Sequence, residues 1–225
     1  MRAQRQLVLA SGSPRRAFLL KECGFEFIVR PTHATEDFDE DMPVNEVPAF
    51  LAAKKAEETI KFIKKNQLVL TADTAVIFEN QILNKPCSAT EAVEMLSRLS
   101  GNTHKVITAI CLITESGAEA IEEISWVTFR ELHRDNIKRY VEHFKPMDKA
   151  GAYGAQECLP YNYNPCSGHE RDFLKRIGNT SLLLNSKPKE YTVKPLIAIQ
   201  EIAGSYFNVM GLPIARLYDK IQGAL

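Results

Sequence analysis

The sequence contains no long apolar run, since no stretch approaches the roughly 18 residues that a membrane-spanning helix needs. It also has no net charge, because Lys and Arg together number 28 and Asp and Glu together number 28. A whole-protein field that would gather a nucleic-acid polymer is therefore not expected, and any site for an anion must be local. We accordingly predict neither a membrane nor a nucleic-acid polymer as a partner.

Cysteine is scarce, with five residues in 225, and the odd number does not suggest a set of paired disulfides. The N-terminal residues lead into a short apolar strand and not into the apolar core of a signal peptide. Scattered cysteines in such a chain are typical of reduced thiols, which predicts a cytoplasmic protein. Zinc on Cys158, Cys166 and His169 is disfavoured, because their spacing matches no common zinc pattern and no fourth ligand is evident.

Short apolar runs alternate with helical patterns along the chain, which indicates the α/β class. We predict strands at residues 7–10, 25–29, 68–73, 76–78, 82–83, 106–113, 121–129 and 196–202. We predict helices at residues 15–23, 45–65, 89–99, 134–144 and 214–221. Residues 1–225 are interpreted as one domain with an insertion at about 157–195, where four prolines obscure any regular pattern.

The segment Ser11-Gly12-Ser13-Pro14-Arg15-Arg16 joins the first predicted strand to the first predicted helix. Backbone N–H groups point outward at such a junction, and the helix dipole favours negative charge there. Ser11 and Ser13 add hydroxyl donors, and Arg15 and Arg16 add guanidinium groups suited to phosphate oxygens. An anion site is one interpretation, and a capped helix with two solvated arginines is the other. The segment is not a P-loop, because the G-x-x-x-x-G-K-S/T spacing is absent.

Two carboxylates and two lysines are further candidates for chemistry. Asp73 follows a buried strand, where it could act as a general base on water, bind a divalent metal or cap a turn, and Thr74 could assist in each case. Glu36 opens an acidic stretch, so it either reaches a metal beside Asp73 or belongs to a solvated loop. Lys55 and Lys85 either balance phosphate charge or lie on the surface.

Further motifs follow in order, and with those above they resemble the Maf family of nucleoside triphosphate pyrophosphatases. The resemblance spans residues 7–156 and about 197–221. Any one motif is weak evidence, whereas the ordered set is specific. The matching segments are Leu9-Ala10-Ser11-Gly12-Ser13-Pro14-Arg15-Arg16, Glu36, Lys55-Ala56, Ala72-Asp73-Thr74, Asn84-Lys85-Pro86, Leu99-Ser100-Gly101, His104-Lys105-Val106, Asp148-Lys149-Ala150-Gly151-Ala152-Tyr153-Gly154-Ala155-Gln156 and Gly204-Ser205-Tyr206-Phe207-Asn208-Val209-Met210-Gly211-Leu212-Pro213.

The resemblance implies an α/β fold in which a mixed central sheet is flanked by helices and a cleft separates two lobes. It also implies a cytoplasmic hydrolase, often a homodimer, that uses Mg²⁺ or Mn²⁺ and cuts a nucleoside triphosphate between its α- and β-phosphates. Asp73 matches the family's catalytic residue and, with Glu36, the expected metal ligands. The expected substrate-binding residues are Ser11, Ser13, Arg15, Arg16, Lys55, Thr74, Lys85 and Gln156.

The resemblance also predicts a substrate class. Arg15, Thr74 and Gln156 match the branch of the family that acts on dTTP and UTP. The branch that acts on 7-methyl-GTP typically has Trp and Glu in place of Arg15 and Gln156. The sequence departs from the family pattern directly after Gln156, where Glu157 begins the predicted insertion.

Two other functions fit parts of the same pattern. A non-catalytic nucleotide-binding regulator linked to cell division would bind the nucleotide through residues 11–16 and would not need Asp73 as a catalyst. A phosphatase that releases orthophosphate is the second alternative. The products formed from a nucleoside triphosphate distinguish all three.

Overall fold

The computed structural model describes residues 5–185 and 194–225. Its helices are α1 (Pro14–Glu22), α2 (Val47–Ile60), α3 (Ala89–Leu99), α4 (Arg134–Phe144), α5 (Gly168–Arg176), α6 (Tyr206–Val209) and α7 (Ile214–Ala224). Its strands are β1 (Gln6–Leu9), β2 (Phe27–Val29), β3 (Gln67–Phe78), β4 (Gln81–Leu83), β5 (Thr103–Thr114), β6 (Gly117–Phe129) and β7 (Ile199–Ala203).

Within these ranges, seven strands form one sheet in the order β2-β1-β3-β5-β6-β7, with β4 paired to β3. Strand β1 pairs in parallel with β2 and β3, and the other pairings are antiparallel. The predicted class, a mixed central sheet flanked by helices, is therefore confirmed. Strands β1 and β3 are buried over nearly their whole length, which explains why both have continuous apolar runs.

Helices cover both faces of the sheet. Successive residues of a strand point to opposite faces, so Leu7 and Leu9 join the larger apolar core while Val8 and Ala10 join a smaller one. Helix α2 closes the smaller core, where its Ala52 packs with the strand residues. Strand β6 is more exposed, and its buried residues alternate with exposed ones toward its end.

The predicted helix boundaries were too wide at α2. Its helical conformation ends at Ile60 and not near residue 65. The chain turns after that point, and Asn66 adopts a left-handed backbone conformation with φ 68°. No helix in the described ranges is long and apolar enough to cross a membrane.

The segment 157–185 contains a helix that the sequence analysis missed. Helix α5 begins with a capping box, in which the Ser167 side chain accepts from the Glu170 N–H and the Glu170 side chain accepts from the Ser167 N–H. The S-x-x-E pattern at 167–170 was the available signal. Residues 186–193 of the predicted insertion lie outside the described residues.

Candidate active site

A cleft of about 660 Å³ opens beside the sheet, as predicted. Most of its lining comes from five stretches, at residues 10–16, 32–38, 72–76, 148–155 and 209–211. These stretches are far apart in the chain, and they include most of the motifs that carried the family resemblance. The fold therefore brings the motifs to one place.

The cleft carries more positive than negative charge. Five basic and three acidic side chains line it within the described part of the chain, although the whole sequence is neutral. This local excess favours a polyanionic ligand. The charged lining residues are Arg15, Arg16, Lys55, Lys85, Lys149, Glu36, Asp73 and Asp148.

A break in the pairing of β3 creates the cleft. Strand β1 stops at Leu9, opposite Leu70, and the pairing of β3 with β4 extends only as far as Val76, opposite Leu83. Within the described chain, residues 71–75 of β3 therefore have no strand partner on that side, while β5 pairs with them on the other. Asp73 lies in this gap, in the middle of β3, so the prediction that the strand ends at Asp73 was wrong.

The Lys55 ammonium joins the two candidate metal ligands. Its Nζ lies 2.6 Å from Asp73 Oδ1 and 3.0 Å from Glu36 Oε1. The side chains of Lys55 and Asp73 are only 11% and 12% exposed, because α2 packs directly on β3. Lys85 Nζ lies 2.9 Å from the second Glu36 oxygen, Oε2. The structure thus brings four of the predicted site residues into one ionic cluster.

The two lysines determine the pKa of the Glu36 carboxyl group. Its partial burial raises the pKa, but hydrogen bonds from Lys85 and Lys55 and the charges of both lysines outweigh that effect. The net result lowers the pKa of Glu36 to about 2. Glu36 is therefore a carboxylate at neutral pH, as a metal ligand must be.

The donor set suits a divalent cation. Glu36 and Asp73 each supply carboxylate oxygens, and both contact the same ammonium, so one ion could reach both groups. Oxygen ligands are those that Mg²⁺ and Mn²⁺ prefer. No group of three or more His, Cys, Asp or Glu side chains within 5–185 and 194–225 is arranged to hold a metal. Mg²⁺ is commonly held by one or two carboxylates together with substrate phosphates, so two suffice.

The predicted anion segment forms the N-terminal approach to α1. Ser11 Oγ accepts from the Ser13 N–H at 3.3 Å and from Arg16 Nη1 at 2.9 Å. Pro14 occupies the first turn of α1, and the Ser13 side chain makes no capping bond to the helix. A side chain at Gly12 would meet nothing within 4 Å, so open space lies in front of that backbone. A phosphate could approach the segment closely.

Arg16 cross-links the walls of the cleft. Its Nε donates to the Gly211 carbonyl, its Nη1 to the Ala72 carbonyl and Ser11, and its Nη2 to Thr74 Oγ1, at 2.9–3.0 Å. These bonds use four of the five guanidinium N–H groups. Burial lowers the pKa of Arg16 despite the opposing charge of Asp73. Arg16 thus has a structural role in the cleft. A contact between Arg16 and the substrate stays a prediction.

Arg15 and Thr74 also line the cleft, and both are less buried than Arg16. The Arg15 side chain is 28% exposed, and its Nη1 lies 3.0 Å from Asp148 Oδ2. Thr74 lines the cleft beside Arg16, and its hydroxyl lies 2.9 Å from that of Thr108. Both residues are placed where a nucleotide could contact them.

Asp148 and Lys149 also line the cleft, although the sequence analysis assigned them no role. Lys149 Nζ lies 2.8 Å from Asp148 Oδ1 and 3.5 Å from Glu157 Oε1. The following turn passes close to β3, since a Cβ at Gly151 would lie 2.9 Å from Val76. The available signal was the Asp-Lys pair at the start of the glycine-rich motif, which was used only for the family resemblance.

Gln156 is the predicted site residue that the structure separates from the others. The cleft lining in the described ranges reaches Ala155 but does not include Gln156. The Gln156 carbonyl accepts from the side chain of Asn185 at 2.9 Å. A role for Gln156 in base recognition therefore stays a prediction.

His104 supports the cleft wall. Burial lowers its pKa to about 3, so its ring is neutral near pH 7. Its Nε2 lies 2.8 Å from the Tyr153 hydroxyl, and both rings pack edge to face with Phe129. The contacts of His104 are those of a structural residue.

The fold and the cleft together define an α/β protein with a charged site suited to a phosphorylated ligand. A family model described as Maf-like protein matches residues 6–162. The chain belongs to the Maf family.

Relatives that match nearly the whole length of the chain support this assignment. A dTTP/UTP pyrophosphatase of Bacteroides fragilis is 34% identical over 218 residues, which cover 96% of this chain and 95% of that protein. A dTTP/UTP pyrophosphatase of Flavobacterium psychrophilum is 35% identical over 213 residues, covering 95% and 91%. A solved structure of the Ham1 protein of Staphylococcus aureus overlaps in part, with 16% identity and a TM-score of 0.39 over 56% of this chain and 72% of that chain. The family assignment rests on the family model and the two pyrophosphatases.

Proposed function

We propose that this protein is a nucleoside triphosphate pyrophosphatase, which hydrolyses the anhydride between the α- and β-phosphates. The products are a nucleoside monophosphate and pyrophosphate. The observation that carries the proposal is the convergence of Asp73 and Glu36 on Lys55 inside a positively charged cleft. The names of the Bacteroides and Flavobacterium relatives support the same reaction.

The triphosphate binds along the gap beside β3. Backbone N–H groups of residues 11–13 and the N-terminus of α1 meet phosphate oxygens. Arg15, Lys55 and Lys85 stabilise the negative charge that grows on the transferred and leaving phosphates. Lys55 is well placed for this task because it is buried beside the candidate base.

Asp73 carries the chemistry. Its carboxylate orients a water and accepts its proton as the water oxygen bonds to the α-phosphorus. The bond between the α-phosphorus and the bridging oxygen breaks, and pyrophosphate leaves. Mg²⁺ or Mn²⁺, held by Glu36, Asp73 and the phosphates, supplies further charge neutralisation when bound.

The proposed substrates are pyrimidine nucleoside triphosphates, with dTTP and UTP first among them. The names of the relatives and the residues Arg15, Thr74 and Gln156 support this choice. Arg15 and Thr74 line the cleft, whereas Gln156 does not, so the support from Gln156 is the weaker.

One assay tests the proposal. The purified protein is incubated with a panel of nucleoside triphosphates and Mg²⁺ or Mn²⁺, and the products are identified by chromatography and phosphorus NMR. Monophosphate with pyrophosphate, formed fastest from dTTP or UTP, is the expected result. Orthophosphate would identify a phosphatase instead, and tight binding without products would identify a nucleotide-binding regulator.

We further propose a single-domain, cytoplasmic enzyme that forms a homodimer. All five cysteines are free, which supports a reducing compartment. Ile124 and Trp126 are 44% and 47% exposed on one face of β6, which supports a surface for self-association. Light scattering of the purified protein measures the oligomeric state.

A further inference from the structure

A second row of charged contacts leads away from the cleft, and the proposed reaction uses only its first member, Arg15. We call it the Lys149 network: Arg15, Asp148, Lys149, Glu157 and Tyr140. Arg15 Nη1 lies 3.0 Å from Asp148 Oδ2, and Lys149 Nζ lies 2.8 Å from Asp148 Oδ1. On its other side, Lys149 Nζ lies 3.5 Å from Glu157 Oε1. The Tyr140 hydroxyl donates to Glu157 Oε2.

The inner members of the network are more buried than Asp148 at the edge of the cleft. The Asp148 side chain is 56% exposed, whereas the side chains of Lys149 and Glu157 are 11% and 13% exposed. Tyr140 lies in the core. The chain makes room for this arrangement at Gly154, since a Cβ there would lie 2.9 Å from the Glu157 carboxylate. Lys149 is therefore anchored at its inner end and has little freedom to move.

The anchored lysine restricts Asp148. Exposed carboxylates usually sample several rotamers, and Asp148 is more than half exposed. Here one carboxylate oxygen contacts Lys149 and the other contacts Arg15. Partial burial raises the pKa of Asp148, but the hydrogen bond from Lys149 and the charges of Lys149 and Arg15 lower it overall. Asp148 is thus a fixed anion at the edge of the cleft.

The fixed anion holds Arg15 on the cleft before any ligand arrives. An arginine that is free to move loses rotamer entropy when it binds a phosphate, and an arginine that is already held loses less. The bond to Asp148 is made by Nη1, one of three guanidinium nitrogens. The planar fork can therefore contact Asp148 and a phosphate along different edges.

We propose that Lys149 is a positioning residue: it fixes Asp148, and Asp148 presents Arg15 to the phosphates of the substrate. The inference rests on the proposed function, in that Arg15 binds the nucleotide. It adds a role for the start of the glycine-rich motif, and it connects the cleft with Glu157 at the beginning of the predicted insertion.

A double-mutant cycle between Lys149 and Arg15 tests the proposal. The Kd for dTTP is measured by calorimetry in EDTA for the wild type, Lys149→Met, Arg15→Ala and the double variant. We expect Lys149→Met to weaken binding by roughly fivefold to tenfold, as for coupled neighbours, and to have no further effect once Arg15 is Ala. Lys149→Arg, which keeps the charge, restores the Kd to within about twofold of the wild type.

A second variant distinguishes weaker binding from a loss of folded protein. Lys149→Met leaves Glu157 buried without a cation, which is itself destabilising. Lys149→Met/Glu157→Gln removes both charges, and it is expected to show the same weakened binding while thermal unfolding confirms that it is folded. Lys220→Met is the matched control, because Lys220 pairs with Glu119 outside the cleft lining. Its Kd should equal that of the wild type.

The outcomes separate the two proposals. The positioning role is overturned if Lys149→Met weakens binding equally with and without Arg15, or if both Lys149→Met variants bind dTTP like the wild type. If the cycle shows that Lys149 and Arg15 are coupled but the protein releases no pyrophosphate, the positioning role is supported and the pyrophosphatase activity is refuted.

Discussion

Carboxylates are used in two different ways in two regions of this protein. In the cleft, Glu36 and Asp73 contact lysine ammonium groups at the ends of flexible side chains. Between α5 and α6, Glu170 is 1% exposed and accepts from the backbone N–H groups of Tyr206 and Phe207. It also accepts from the Ser205 hydroxyl at 2.6 Å and the Ser167 N–H at 2.8 Å.

The difference separates the candidate reactive carboxylates from a structural one. Backbone N–H groups are fixed, so Glu170 cannot exchange its partners without disturbing α5 and α6. The cleft beside Glu36 and Asp73 is open, so a cation or a water could take the place of an ammonium there. The partners of a carboxylate are therefore more informative than its burial, because Asp73 is also buried.

The largest expected effect comes from removing the reactive charge. Asp73→Asn keeps the shape of the side chain but cannot accept a proton, so we expect pyrophosphate release to fall by about 10²- to 10⁴-fold. Initial rates and circular dichroism measure activity and fold. Asp41→Asn, in the exposed acidic stretch, is the control and should retain full activity. A wild-type rate in Asp73→Asn would contradict the catalytic assignment.

The corresponding change at the structural carboxylate should act on stability. Glu170→Gln presents an amide to backbone donors, so we expect the free energy of unfolding to fall by about 1.5–3 kcal/mol, with unchanged activity per folded molecule. Urea titrations and active-site titrations measure the two quantities. If activity were lost while the protein remained folded and equally stable, the contrast between the two regions would fail.

Arg16 and Arg15 extend the comparison to neighbouring basic residues. Arg16→Lys cannot reach all the acceptors of the guanidinium, so we expect a loss of about 1–3 kcal/mol in unfolding free energy. Arg15→Lys changes a side chain that is 28% exposed, so it should leave stability nearly unchanged and raise the KM for dTTP. Thermal unfolding and steady-state kinetics measure both. Equal losses of stability in the two variants would contradict the structural task of Arg16.

The smallest expected effect is the pH dependence of Glu36. Its pKa in the folded protein is about 2, below its ordinary value of 4.5, so its ion pairs stabilise the fold above the ordinary value. This contribution is lost as the pH falls from about 4.5 toward 2. We expect urea midpoints to fall more between pH 5 and pH 3 in the wild type than in Glu36→Gln. The difference should be small because Glu36 is half-exposed, and Glu40→Gln should behave like the wild type.

Apolar patterns in the sequence predicted much of the fold, and the resemblance to the Maf family selected the residues that form the ionic cluster. The apolar runs located the strands, and the ordered motifs located Glu36, Lys55, Asp73 and Lys85, which the structure brings together. These residues were recognisable because each stands in a short motif. The distances between these residues could not be predicted, because α2 and β3 meet only through the packing of the whole sheet.

The features that were missed depend on long-range contacts. The position of Asp73 within β3 follows from the lengths of β1 and β4, which short apolar runs do not specify. The cross-links of Arg16 reach Gly211, 195 residues away, so no local pattern could reveal them. Helix α5 is short, and most of its residues are polar, so its apolar pattern was weak and only its capping box could have located it.

The gap in the pairing of β3 has a consequence for how this family can diversify. Strand β3 stays paired with β5 at nine positions, from Val69 to Ile77, so the sheet stays continuous on the side away from the gap. The chain segments that do fill it are loops and helix ends, which tolerate change better than strands. We therefore expect that substrate preference can be altered there by substitution or insertion while the strand that holds the candidate catalytic carboxylate stays constant.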